Sequence, residues 1–413
     1  MAKLDVRKSV DRALAKAEVS DIHTHLYAPC FGDLLSWGID DLLTYHYLIS
    51  EFFRATDLPY DAFWKLTKRE QADAIWRALF VERTPVSEAC RGVLTTLERL
   101  GLDARGKSLE KIRGWYAKQD REKHIDRVFE VAGVRDCVMT NDPFDDAERP
   151  VWLKGYRADD RFKAALRIDP VLLNWAKTFP RLADFGYKVS RELTPRTLGE
   201  VKRFLREWSE RTKALYVGVS LPPTFNVPES SDAATLLEQA VVPVCEERNL
   251  PLAMMIGVKR QVNPQLRMAG DGVGLARIEP VEYLCAAFPK TKFMVTMLAR
   301  ENQHALCVAA RKFRNLHVFG CWWFVNNPSL IAEITRERLE LLGTGFTAQH
   351  SDARVIDQVI YKWAHSRKVI GDALVEKYQD LAATGWALSD DDIARDVSGL
   401  FGGHFRTFLD RKL

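Results

Sequence analysis

Two histidines stand two residues apart in Val19-Ser20-Asp21-Ile22-His23-Thr24-His25-Leu26, and their type and spacing suit metal chemistry. The stretch reads as a short strand. Side chains alternate faces along a strand, so His23 and His25 point one way while Ile22, Thr24 and Leu26 point toward covering structure. Two neutral imidazoles side by side can share one divalent cation. The ordinary alternative is a hydrogen-bonded histidine pair in a polar cleft. Ligation needs a third ligand and a place for substrate, so the elements that would supply them come next.

The 413 residues are 47% hydrophobic and 28% charged, a composition that buries a sizeable core. A single α/β barrel with insertions accommodates this length. The net charge of +4 comes from 60 basic and 56 acidic residues with no basic tract, which argues against a nucleic-acid partner. Seven dispersed cysteines without a CxxC pair fit reduced thiols in a cytosol. The N-terminus lacks the apolar core of a signal peptide, and no run is apolar for long enough to span a bilayer. The expectation is a cytoplasmic protein with no membrane partner; homo-oligomerisation is left open.

Residues 3–18 are amphipathic and lead as a helix into the histidine strand. From 39 to 133 the sequence is charged, aromatic and helix-periodic, a helical insertion after the first strand. Short apolar runs then recur between helical segments. Strands are expected at 134–140, 162–169, 214–221, 250–257, 292–298, 316–323 and 345–351, with a C-terminal helical region at 355–413. This alternation implies parallel βα units, and eight of them imply a single (β/α)8 TIM-like barrel spanning 1–413. Barrel active sites lie at the C-terminal strand ends. The polar and aromatic residues there are His23, His25, Asp142, Arg167, Arg300, Trp322, Trp323, Asp352 and Arg354. Singly, each has a bland explanation: a turn for Asp142, a surface charge for Arg300, core packing for the tryptophans. Converging from six strands, they outline a site.

The ordered pieces His23-Thr24-His25, His46-Tyr47, Thr140-Asn141-Asp142-Pro143, Leu166-Arg167-Ile168-Asp169, Ile256-Gly257-Val258-Lys259-Arg260, Arg300-Glu301-Asn302, Trp322-Trp323-Phe324 and Ser351-Asp352-Ala353-Arg354 resemble the uronate (glucuronate) isomerase family of the amidohydrolase superfamily. The double tryptophan followed about thirty residues later by Asp-x-Arg is the most specific of them. That family interconverts aldose and ketose forms of hexuronic acids such as glucuronate and fructuronate. The resemblance implies His23, His25 and Asp352 as ligands of a divalent metal; such a ligand set accepts zinc, manganese, iron or cobalt, with zinc the first choice. It places His46 and Tyr47 over the substrate and Arg167 and Arg354 at the active site, and it gives Trp322 or Trp323 to the sugar pocket. Physically, a three-ligand metal keeps an open position for substrate oxygen. Tyr47 or Asp352 could carry a proton between adjacent carbons, and Asp352 or His46 could relay one during ring opening. Arg167 or Arg354 offers a guanidinium to the uronate carboxylate.

One position departs from the family. Where the family strand reads Leu-His-Ile-Gly, this chain reads Met254-Met255-Ile256-Gly257. Methionine transfers no proton and ligates zinc poorly. The fourth-strand segment is also altered, to Ser220-Leu221-Pro222-Pro223. Two other readings therefore stand beside isomerisation: a mononuclear hydrolase or decarboxylase acting on a small carboxylic acid, and a sugar-acid-binding relative without turnover. His350 has no implied role, and His124, His304, His317, His365 and His404 read as structural.

Overall fold

The computed structural model describes residues 4–156 and 159–413. Its strands are β1 (Val19–Thr24), β2 (Val134–Asn141), β3 (Phe162–Arg167), β4 (Val217–Leu221), β5 (Leu252–Ile256), β6 (Val258–Lys259), β7 (Gly272–Val273), β8 (Phe293–Met297) and β9 (Leu316–Val318). Seven of them form one all-parallel sheet in the order β1-β2-β3-β4-β5-β8-β9, and β6 pairs antiparallel with β7 as a small hairpin.

Strand alternation divides the core in two. Cys137, Met139, Leu166, Val219, Met254, Ile256, Val295 and Met297 join the large apolar layer shared with the helices. Their neighbours Val138, Ala165, Ala253, Met255 and Met294 meet Ile22, Tyr216, Phe319, Trp322 and Trp323 in a separate inner cluster. Side chains from β1 and from beyond β9, at opposite ends of the sheet, touch in that cluster, so the sheet is strongly curled. Phe405 and Phe408, from the helix His404–Asp410, fill the same interior, with the Phe408 ring stacked on His317 at 5.0 Å.

The expected helix at 3–18 runs Val6–Lys16; Lys3 lies outside the described residues. Asp5 caps it, accepting the Lys8 N–H. Between β1 and β2 come helices from Ile39–Leu43 to Arg121–Ala132, where helical periodicity predicts them. After residue 355 the chain is again helical, including the 26-residue helix Gln358–Ala383. Among the described residues no helix is long and apolar enough to cross a membrane.

Two expectations need correction. The strand expected at 316–323 stops at Val318, because Gly320 turns the chain at φ 62° and Trp323 lies in a short helical turn. No regular strand forms at 345–351. There Thr347 bridges Phe319, donating to Val318 O at 3.1 Å and accepting from Gly320 N at 2.9 Å. A few residues on, Asp352 N donates to His23 O at 3.2 Å and His25 N to Ala353 O at 2.7 Å. Side chains take over the bonding between these points: Gln349 Oε1 accepts from Cys321 N and His350 N, and Asn326 donates to the carbonyls of His350 and Ser351. The backbone is satisfied without a ladder, so extended pairing is not required.

Candidate active site

His23 is the penultimate residue of β1, and His25 follows the strand directly. Strict alternation fails just before them. The β1–β2 register slips between Asp21 and Thr24, and Ile22 turns into the inner cluster instead of the covering layer. Asp21 points the other way and accepts from Ser351 N at 2.9 Å and from Trp363 Nε1 at 2.8 Å. That clamp ties β1 to the segment that carries Asp352.

Asp352 lies across from both histidines. Its Oδ1 is 3.6 Å from His23 Nε2 and 3.3 Å from His25 Nε2. One ligand atom from each residue fits within a 4.8 Å span. Burial, then the neighbouring His350, holds His23 well below the usual imidazole range; burial, then Arg354 and Arg167, does the same for His25. Both rings are therefore neutral, and neither is an ion-pair partner of Asp352. His23 Nε2 and Asp352 Oδ1 are buried without any hydrogen-bond partner. Converging, unpartnered acceptors of imidazole and carboxylate type fit a divalent cation. The far nitrogens are engaged: His23 Nδ1 lies 3.2 Å from the Tyr216 hydroxyl, and His25 Nδ1 lies 3.0 Å from Thr140 Oγ1.

Around this cluster sit more unpartnered polar atoms. His46 begins the helix His46–Phe52 and is buried, so an exposed helix face does not account for it. Its Nε2, the Tyr47 hydroxyl and Trp323 Nε1 all lack partners. The His46 ring is 5.5 Å from that of Trp323. Burial, then Arg354, keeps His46 neutral, while burial, then Tyr45 and Asp352, raises the Tyr47 phenol well above its ordinary value. Tyr47 thus keeps its proton. Trp323 and Asp352 both hold left-handed backbone, with φ of 45° and 54°. Each such non-glycine conformation costs on the order of 1–3 kcal/mol, and such residues cluster at functional sites.

The arginines differ in engagement. Arg167 ends β3 and grips Asp169 through Nε (3.2 Å) and Nη2 (2.8 Å), leaving Nη1 without a partner among the described residues. Arg354 lines a cavity of about 560 Å³ together with His46, Lys68 and Arg267. Trp322 and Trp323 both pack into the inner cluster with Met255, and Trp323 Nε1 is a buried donor without a partner. Arg300 is not brought to the site; it is exposed and paired with Glu333 at 2.9 Å. Asp142 serves its own turn, accepting from Phe144 N at 2.9 Å.

His350 packs edge-on against His23, with ring centroids 5.1 Å apart. Gly320 makes room for it: a Cβ there would lie 1.9 Å from the His350 ring. Among the other histidines, His124 bonds Asp357, His317 faces Thr347 and His365 bonds Glu88, all structural roles. Sequence reading missed Lys362, whose Nζ sits 5.2 Å from the centre of the Tyr47 ring. Burial pushes its ammonium down to about 8. Its signal was a lone lysine in the apolar run Val359-Ile360-Tyr361-Lys362-Trp363. Met255 is buried opposite Thr296, so the end of β5 offers no ligand.

No protein-family model and no curated protein matches the chain. Solved structures do. A uronate isomerase from Thermotoga maritima (14% identity, TM-score 0.80, 99% of each chain) and a glucuronate isomerase from Caulobacter crescentus (13%, TM-score 0.71, 100% of this chain and 96% of that one) share its fold. A uronate isomerase from Bacillus halodurans C-125 is 52% identical over 98% of this chain and 96% of that one, with a TM-score of 0.97. Identity at that level over nearly the whole length leaves one assignment: the chain belongs to the uronate isomerase family.

Proposed function

We propose that this protein interconverts the aldose and ketose forms of a hexuronic acid, of the D-glucuronate/D-fructuronate type, with the help of a divalent metal. The observation that carries the reading is the His23–His25–Asp352 cluster in a chain half identical to a uronate isomerase. Zinc is the proposed ion, from the imidazole and carboxylate donors. When bound, such a cation acts as a Lewis acid toward the sugar's carbonyl and hydroxyl oxygens, making the adjacent C–H more acidic.

The residues divide the remaining work. The open Nη1 edge of Arg167, together with Arg354, whose charge also acts on His25, takes the carboxylate. Trp323 offers an N–H and an aromatic face to the sugar ring. Tyr47, holding its proton, acts as the acid that hands a proton to sugar oxygen or carbon, and Asp352, the carboxylate of the His23–His25 cluster, acts as the base. Neutral His46 relays a proton during ring opening. The closed (β/α)8 form belongs to this proposal. Bonds from Thr347 to the β9 side and from Asp352 and Ala353 to β1 support an irregular eighth stave. The 39–133 insertion and the 355–413 region are parts of that one unit, since His46, Tyr47 and Lys362 reach the site from them.

The test is incubation of metal-reconstituted protein with D-glucuronate and D-galacturonate in deuterated water, followed by NMR. Ketose should form with mass conserved. No conversion of either acid, or release of carbon dioxide, would overturn the reading.

A further inference from the structure

Each candidate ligand histidine is backed by a hydroxyl from a different part of the sheet, and the two backing arrangements are alike. The Tyr216 hydroxyl, just before β4, lies 2.9 Å from Ile22 O and 3.2 Å from His23 Nδ1. Thr140 Oγ1, on β2, lies 3.0 Å from Thr24 O and 3.0 Å from His25 Nδ1. A carbonyl oxygen only accepts, so in both cases the single hydroxyl proton is given to the carbonyl. The hydroxyl oxygen is then left to accept, and the histidine Nδ1 must carry the proton. In both cases, too, the carbonyl belongs to the residue immediately before the histidine, so the hydroxyl locks the ring to its own backbone.

We infer that Tyr216 and Thr140 are positioning residues that set His23 and His25 as Nδ1–H tautomers, with both Nε2 lone pairs aimed at the cation position before any metal arrives. The inference rests on the triad being a cation site. It explains why Asp352 Oδ1 stands 3.3–3.6 Å from two ring nitrogens without bonding either. Three lone pairs face one another there. The opposite tautomer would let Nε2–H donate to Asp352 and close the site with hydrogen bonds. The arrangement also answers the loss of a histidine at Met255. With no ligand from β5, the cation depends on two imidazoles and one carboxylate, and any tautomer error removes a ligand outright. Tyr216 reaches its histidine across the interior, 194 residues away from Ile22 in sequence. Its ring packs in the inner cluster and its hydroxyl is the only polar atom it brings.

The experiment uses full-length protein and the variants Tyr216→Phe, Thr140→Val and Thr140→Ser. In the metal-free state, ¹⁵N NMR of the histidine side chains reads the tautomers directly. Wild type should show Nδ1–H at both histidines. Tyr216→Phe should disturb only His23, Thr140→Val only His25, and Thr140→Ser neither. In the second arm, Zn²⁺ affinity is measured by competition with a chromophoric chelator, and Co²⁺ is used for its visible spectrum. Loss of such an outer partner typically weakens metal binding roughly 10–100-fold. That loss is expected for Tyr216→Phe and Thr140→Val, with Thr140→Ser staying near wild type. Nε2–H tautomers in wild type, or Phe and Val variants that keep wild-type tautomers and affinity, would overturn the inference. Wild type that retains neither ion would instead refute the metal reading, and the tautomer arm, which needs no metal, would still be decided separately.

Discussion

Replacing Asp352 by asparagine should separate the site's two energetic states. In metal-free protein Asp352 Oδ1 is a buried acceptor without a partner, facing two neutral imidazoles at 3.3 and 3.6 Å. Asparagine removes the charge, and its amide can donate to His25 Nε2. One gained hydrogen bond contributes about 1 kcal/mol. The metal-free variant should therefore be as stable as metal-free wild type or slightly more so. Metal reverses the order. An ion present at about 1,000 times its Kd stabilises the native state by about 4.1 kcal/mol. For 413 residues, an unfolding entropy of roughly 2.1 cal/mol/K per residue makes 1 kcal/mol worth about 1 °C of Tm, so Zn²⁺ should raise the wild-type Tm by roughly 5 °C. Asp352→Asn should lose most of that rise, along with turnover. Scanning calorimetry on chelator-stripped and Zn²⁺-titrated samples reads all four states. A variant that melts several degrees lower without metal yet keeps the full Zn²⁺ shift would refute the reasoning, because Asp352 would then be a structural residue outside the ligand set.

Three further outcomes follow from the same geometry. Arg167→Lys cannot serve both Asp169 and a substrate carboxylate, so KM for uronates should rise roughly 10–100-fold, as for a lost hydrogen bond to a charged group, while a matching neutral aldose changes little; equal losses on both substrates would mark Arg167 as architectural. Tyr47→Phe should lower kcat by about 10²–10⁴ with Zn²⁺ affinity unchanged, the signature of a lost proton donor; unaltered kcat would assign the proton transfer elsewhere. Burial pushes the Glu148 carboxyl from 4.5 up to about 7 in the fold. Its raised folded value means that its stabilising contribution is fully present below about pH 4.5 and is lost as pH rises through about 7. At 1.36 kcal/mol per pH unit, that loss is about 3 kcal/mol. Glu148→Gln should flatten that part of the stability–pH curve measured by urea unfolding at pH 5 and pH 8, and an unchanged slope would count against it.

What could be read from the sequence was what depends on local period. Apolar runs located β1 to β5, β8 and β9, and helical spacing located the insertion. Two histidines at i and i+2 pointed to the candidate cation site because a strand brings such neighbours together. Where the backbone departs from regular geometry, period misleads. The slip between Asp21 and Thr24 sends Ile22 inward, and at 345–351 the side chains of Gln349 and Asn326 replace a strand's ladder. Arg300 shows a further limit: it follows the β8 end in sequence, yet pairs outward with Glu333.

The contacts that surround the candidate site were invisible for a different reason. Thr140, Tyr216 and Lys362 meet their partners across 115, 193 and 315 positions of chain, and no local pattern encodes such pairings. A tyrosine opening a strand or a threonine closing one is ordinary; each becomes specific only when the curled sheet brings its hydroxyl between a histidine and the preceding carbonyl. Metal chemistry needs lone pairs aimed at a common point, and aiming is done by the atoms behind the ligands. The ligands of such a centre can therefore be legible in one dimension, while the hydrogen bonds that make them ligands exist only in the fold.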